Sequence, residues 1–126
     1  MEYKWEIFEE GPVVQSTEQI YVTINRRGQL YLNRGSLAAL DEPDAVVMMY
    51  DRRQQVIGLQ RSSIERRSAF KLRRKDRDSK GRVLYASNFC RRHHIRPGET
   101  LRFTKAAVDK NGVLILSMHE VISAKR

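Results

Sequence analysis

With 126 residues, 40% of them hydrophobic, the chain can bury one compact core but is too short for two full domains. That apolar share excludes wholesale disorder. Its 24 Lys and Arg against 15 Asp and Glu leave a net charge of +9, unusual for a small enzyme and suggestive of an anionic partner such as nucleic acid or an acidic protein.

The composition changes along the chain. Residues 1–19 hold Glu2, Glu6, Glu9, Glu10 and Glu18 against Lys4 alone, a net of −4. Tyr3, Trp5 and Ile7 alternate with charged residues, which predicts an edge strand with one buried face, ended by Gly11-Pro12. Such a segment either covers a sheet edge or serves as an acidic arm that competes for the basic surface. It carries no apolar signal run, and no stretch of the chain reaches transmembrane length. The expectation is a cytoplasmic protein without a membrane partner.

Residues 20–60 form a first unit. Tyr21-Val-Thr-Ile24 and Leu30-Tyr-Leu32 flank a polar turn with Gly28, the pattern of a hairpin tipped by Arg26-Arg27. Asn33 or Ser36 caps a short helix over Leu37-Ala-Ala-Leu40, which Pro43 stops. Ala45-Val-Val-Met-Met-Tyr50 and Val56-Ile-Gly-Leu59 make a second hairpin, tipped by Arg52-Arg53. Arginines at hairpin tips are exposed and free to meet a phosphate or a base edge.

Residues 61–82 form a basic connector and hairpin. Ten cations, among them Arg73, Arg74, Lys75, Arg77 and Arg82, face Glu65, Asp76 and Asp78, a net of +7. Charges so concentrated repel one another unless a polyanion is near or the segment is a solvated linker. Ala69-Phe-Lys-Leu72 reads as a strand and Asp76-Arg-Asp-Ser-Lys-Gly81 as a wide turn.

Residues 83–126 complete a second unit. Val83-Leu-Tyr85 is a strand, and Ser87 or Asn88 caps a helix through Phe89, Cys90 and Ile95 that ends at Pro97-Gly98. Leu101, Phe103 and Val113-Leu-Ile-Leu116 are closing strands, the last entered through the tight turn Asp109-Lys-Asn-Gly112. Val121-Ile122 extends that strand toward the basic end.

The two units match feature by feature. Gly28 answers to Gly81 at an offset of 53 residues, Leu40 to Ile95 at 55, and Val56 to Val113 at 57. A ββαββ unit this short cannot bury both faces of its sheets alone. The fold class expected is mainly β (α+β), a small pseudo-twofold β-barrel built from two ββαββ halves.

This succession of hairpin, glycine, three apolar residues, short helix and second hairpin resembles the swapped-hairpin barrel of the AbrB, MazE and MraZ superfamily. The resemblance covers residues 20–60 once and roughly 68–122 again, like the tandem arrangement in MraZ. In AbrB-like domains a Gly-Arg-Val-Val-Ile-Pro motif leads to Leu-Arg-Arg on the short helix. Here the second copy keeps Gly81-Arg82-Val83 and Cys90-Arg91-Arg92, so the resemblance implies DNA contact at Arg82, Arg91 and Arg92. The first copy has Gly28-Gln29-Leu30 and Leu37-Ala38, and Asn33 and Ala86 stand at the motif proline. Arg26-Arg27 would compensate for its missing cations. The function implied is that of a DNA-binding transcription regulator. The homodimer is an open alternative, because family members with one copy pair obligately.

Two other functions compete. Tyr85, Phe89 and Phe70 lie among the cations, where they could stack on unpaired RNA bases or simply pack in the core. An antitoxin-like module would offer its basic face to an acidic protein. No catalytic constellation is found. Cys90 and His94 are spaced as helical metal ligands, but only His93 and His119 remain to complete a site, and no third group orients a Cys–His nucleophile. Asp41, Glu42 and Asp44 read as loop residues, and Gly35, Gly58 and Gly98 are isolated. No enzyme activity, metal or cofactor is expected.

Overall fold

The computed structural model describes residues 2–9, 19–76 and 80–124. The first half runs β1 (Val22–Ile24), β2 (Gln29–Leu32), α1 (Arg34–Ala39), β3 (Ala45–Asp51) and β4 (Val56–Ser62). The second runs β5 (Phe70–Lys71), β6 (Arg82–Tyr85), α2 (Ser87–Arg92), β7 (Leu101–Phe103), β8 (Ala107–Val108), β9 (Val113–Ser117) and β10 (Val121–Ser123).

Turn chemistry explains the hairpins. Between β1 and β2 the Asn25 side-chain oxygen accepts from the N–H groups of Arg27 and Gln29, each at 3.0 Å, and Gly28 takes φ +76°. The Asp51 carboxylate accepts from the Gln54 N–H between β3 and β4. Asp109 does the same for Asn111 and Val113 before β9, with Gly112 at φ +78°.

The strands form two antiparallel sheets of five. Sheet I has the order β10-β7-β1-β2-β6 and sheet II the order β5-β3-β4-β9-β8. Alternation sends Val22, Ile24, Leu30, Leu32, Leu84 and Phe103 of sheet I into one core with Val46, Ile57, Leu59, Leu114 and Leu116 of sheet II. Fully burying each such side chain stabilises the fold by about 1.5–3 kcal/mol. Leu37, Leu40, Cys90 and Ile95, from the two helices and the loops behind them, join the same cluster.

In place of the expected closed barrel, the described residues form these two sheets, whose ladders do not join into one ring. Arg73 and Val83 exchange both backbone hydrogen bonds, at 2.9 and 2.7 Å, where the chain leaving β5 meets the edge of sheet I. Two ladders have a simple arithmetic. In sheet I, Leu30 faces Leu84 and Tyr31 faces Val83, so an offset of 53 residues carries that ladder onto itself. In sheet II, Ile57 faces Leu116 and Leu59 faces Leu114, which an offset of 57 carries onto itself. These are the offsets that relate Gly28 to Gly81 and Val56 to Val113.

Three expectations need correction. Residues 2–8 form no strand, and Tyr3, Trp5, Ile7 and Phe8 are exposed. The closing hairpin of the second half is divided: β8 pairs with β9, whereas β10 leaves β9 and pairs with β7. The Glu120 carbonyl accepts from both the N–H and the hydroxyl of Thr104 at the break. Helix α2 begins at Ser87 without a side-chain cap and ends at Arg92, well before Pro97, with His94 at φ +57°. Helix α1 keeps its cap: the Asn33 side chain accepts from the Ser36 N–H at 2.9 Å and from the Tyr21 N–H at 3.0 Å.

Candidate nucleic-acid interface

Helix α2 gathers cations from three elements. The β1–β2 turn lies against its start: the Gly28 carbonyl accepts from the Ala86 N–H at 2.9 Å, and a Cβ on Gly28 would stand 2.9 Å from the Ser87 Cα. That contact brings the exposed Arg26 and Arg27 beside the N-terminal end of α2. Arg91 and Arg92 are exposed in its last turn, where cations also suit the partial negative charge of the carbonyl end. Immediately beyond, the His93 ring packs on Tyr50 at 4.6 Å and on Phe89 at 4.8 Å between centroids. Desolvation holds His93 below its ordinary value of 6.5, and the charges of Arg52, Arg92 and His94 lower it further. The Tyr50 contact also brings the β3–β4 tip, which carries Arg52 two residues on, near the helix end. The His93 Nδ1 atom is enclosed and has no hydrogen-bond partner among the described residues.

The remaining cations follow the β6 edge. Arg73, Arg74 and Lys75 are exposed, and Arg73 lies opposite Val83. Arg82 is half-buried and partly committed to its own turn, donating to the carbonyls of Gly81 at 2.9 Å and Lys80 at 3.4 Å. Arg77 lies outside the described residues. The four residues of β6 separate this group from the α2 group by about 13 Å. Two surface ion pairs, Arg61–Asp41 and Lys105–Glu120, draw on neither group.

Sequence reasoning missed the outer face of sheet I. Its concave surface encloses a groove of about 650 Å³ lined by Tyr21, Thr23, Gln29, Tyr31, Lys75, Val83 and Tyr85, among others. The Arg102 guanidinium lies 4.9 Å from the centre of the Tyr21 ring. Period-two alternation put Tyr31 and Thr23 on the outer faces of their strands. Their neighbourhood with Arg102 depended on β1 pairing with β7, a long-range contact with no local signal.

The aromatic residues named for RNA separate. Tyr85 is 52% exposed in this groove, Phe89 packs on Tyr50 and His93, and Phe70 packs against the core. Cys90 points into the core, where burial pushes its thiol up, whereas His94 is exposed, so the two do not form a ligand pair. Among the described residues no group of three or more His, Cys, Asp or Glu side chains could hold a metal ion, and no helix is long and apolar enough to cross a membrane. No protein-family model, curated protein or solved structure matches the chain.

Proposed function

We propose that this chain binds duplex DNA in the manner of the AbrB-type regulators it resembles, and that its two halves close about a pseudo-twofold axis as a swapped-hairpin barrel. The self-mapping ladders of Leu30–Leu84 and Ile57–Leu116 support the second part. For the first, the carrying observation is the convergence on α2 of Arg26 and Arg27, Arg91 and Arg92, and the Arg52 tip. Like charges held together by the fold repel one another, and a phosphate backbone entering among them relieves that repulsion while releasing its own counterions. Guanidinium groups suit phosphate because they donate two parallel hydrogen bonds. Six residues of helix span about 9 Å, so the cluster reaches more than one phosphate. Arg73, Arg74 and Lys75 extend the neutralising surface along β6.

Arg91 and Arg92 are exposed, so the double substitution Arg91→Glu, Arg92→Glu leaves the core intact. Fluorescence anisotropy on a labelled duplex at low salt should show affinity falling by at least about tenfold, with the circular dichroism spectrum preserved. Unchanged affinity would remove α2 from the interface.

A further inference from the structure

We infer that the outer face of sheet I is a separate binding site for unpaired nucleotides, with Tyr85, Tyr31 and Tyr21 as its stacking platform. The strand registers place these rings. Tyr31 faces Val83 on one side and Thr23 on the other. Tyr85 lies two residues beyond Val83 and Tyr21 two before Thr23, on the same face by strand alternation. The three tyrosines thus form a diagonal across β6, β2 and β1, with steps of about 7–8 Å between neighbours. An extended single strand can set successive bases on such a diagonal, whereas a duplex keeps its base faces stacked and hidden.

The charges around the diagonal suit the same ligand. Continuing the register outward, Arg73 flanks Val83 and Arg102 flanks Thr23, so a cation stands on the row at each side. Lys75, two residues beyond Arg73, also lines the groove. The Arg102 Nε is enclosed and has no hydrogen-bond partner among the described residues, while its guanidinium lies over Tyr21. Tyr31 is fixed by a different device: a Cβ on Gly81 would stand 2.5 Å from its ring, so only glycine leaves the ring this place. Among the described residues that line the groove Glu99 is the one carboxylate, and it accepts a hydrogen bond from the Ser123 hydroxyl. A carboxylate there repels phosphate but accepts from the N–H groups of a base, the ring N3–H of thymine or uracil included, which orients a strand with its bases inward.

This site shares Arg73 and Lys75 with the proposed duplex surface but uses none of the α2 arginines, and the test separates the two. Labelled dT8, U8 and a 16-base-pair duplex are titrated at low salt into wild type, Tyr85→Ala, Tyr85→Phe and the Arg91→Glu, Arg92→Glu double variant. Tyr85 is half-exposed and outside the core, so its replacement spares the fold. Tyr85→Ala should weaken binding of both single strands by about fivefold or more, Tyr85→Phe should retain it, and duplex affinity should stay within about twofold. The α2 variant should leave dT8 and U8 bound. A preference between dT8 and U8 decides whether the natural strand is DNA or RNA without altering the inference. Absence of single-strand binding, or equal binding by wild type and Tyr85→Ala, overturns it. So does binding of a synthetic peptide of residues 2–9 in place of either oligonucleotide, since the groove would then belong to the chain's own acidic, aromatic arm.

Discussion

Gly28 carries two requirements at once. Its φ of +76° is left-handed, and a side chain there would press on the Ser87 backbone, which has no rotamer by which to yield. Gly28→Ala should therefore cost about 1–3 kcal/mol, visible as a lowered midpoint in urea unfolding. A neutral result would mean that the β1–β2 turn does not rest on α2. The need for Gly28 was legible, because a polar tip between alternating runs calls for a residue tolerant of positive φ. Gly81 aligns with Gly28 in the sequence, yet it is required for a different reason, the ring of Tyr31, which only the fold brings near. His93 gives a pH signature at the same scale. Its folded value is lowered, so below the ordinary 6.5 the unfolded chain takes up a proton that the folded chain resists. Stability contributed by neutral His93 is present above 6.5 and is lost as pH falls from there toward the folded value. Thermal midpoints of wild type and His93→Gln should differ in slope across that window. A phosphate near Arg52 and Arg92 offsets their repulsion, so DNA should raise the His93 value in an NMR titration and tighten binding as pH falls. An unmoved His93 resonance would place the DNA elsewhere.

At the scale of elements, local chemistry was readable wherever one side chain decided the outcome. Asn33 was a legible cap, and it also receives the Tyr21 N–H, tying α1 to the entrance of β1. Asn33→Ala should cost about 0.5–2 kcal/mol through the cap alone, with loss of the Tyr21 hydrogen bond adding to it, measured by chemical denaturation. A cost below that range would mean that the Asn33 cap contributes little to holding α1. The second helix was read less well. Ala86 and Phe89 stand where the first half has Asn33 and Ser36, so α2 is held by the contact of its start with Gly28 and by the burial of Cys90. Strands β8 and β10 were illegible as separate elements, since the division of the closing hairpin depends on Thr104 reaching Glu120. The N-terminal alternation of Tyr3, Trp5 and Ile7 suggested a strand, but an alternating pattern makes a strand only when a sheet edge accepts it.

For the whole molecule, the segments that match between the two units in the sequence are the ones that pair across the β2–β6 and β4–β9 ladders. Ladder registers need non-local information, but a repeat supplies part of it, because antiparallel pairing between equivalent strands permits few centres. The sheet assignment lay beyond reach, as did the outer face carrying Tyr31, Thr23 and Arg102, because it follows from β7 entering beside β1. The charge was fully legible in amount but not in placement. The positive tips at Arg26-Arg27 and Arg52-Arg53 were separate features of the sequence, and the fold draws both toward α2. That convergence underlies the proposal of DNA binding. The most direct test is the affinity of the wild-type protein for a labelled duplex over a series of salt concentrations. With four to six arginines neutralising phosphates, log K should fall against log salt with a slope of roughly −3.5 to −5.5. A flat dependence, or no binding at low salt, would contradict the account and leave the basic surface to a protein partner.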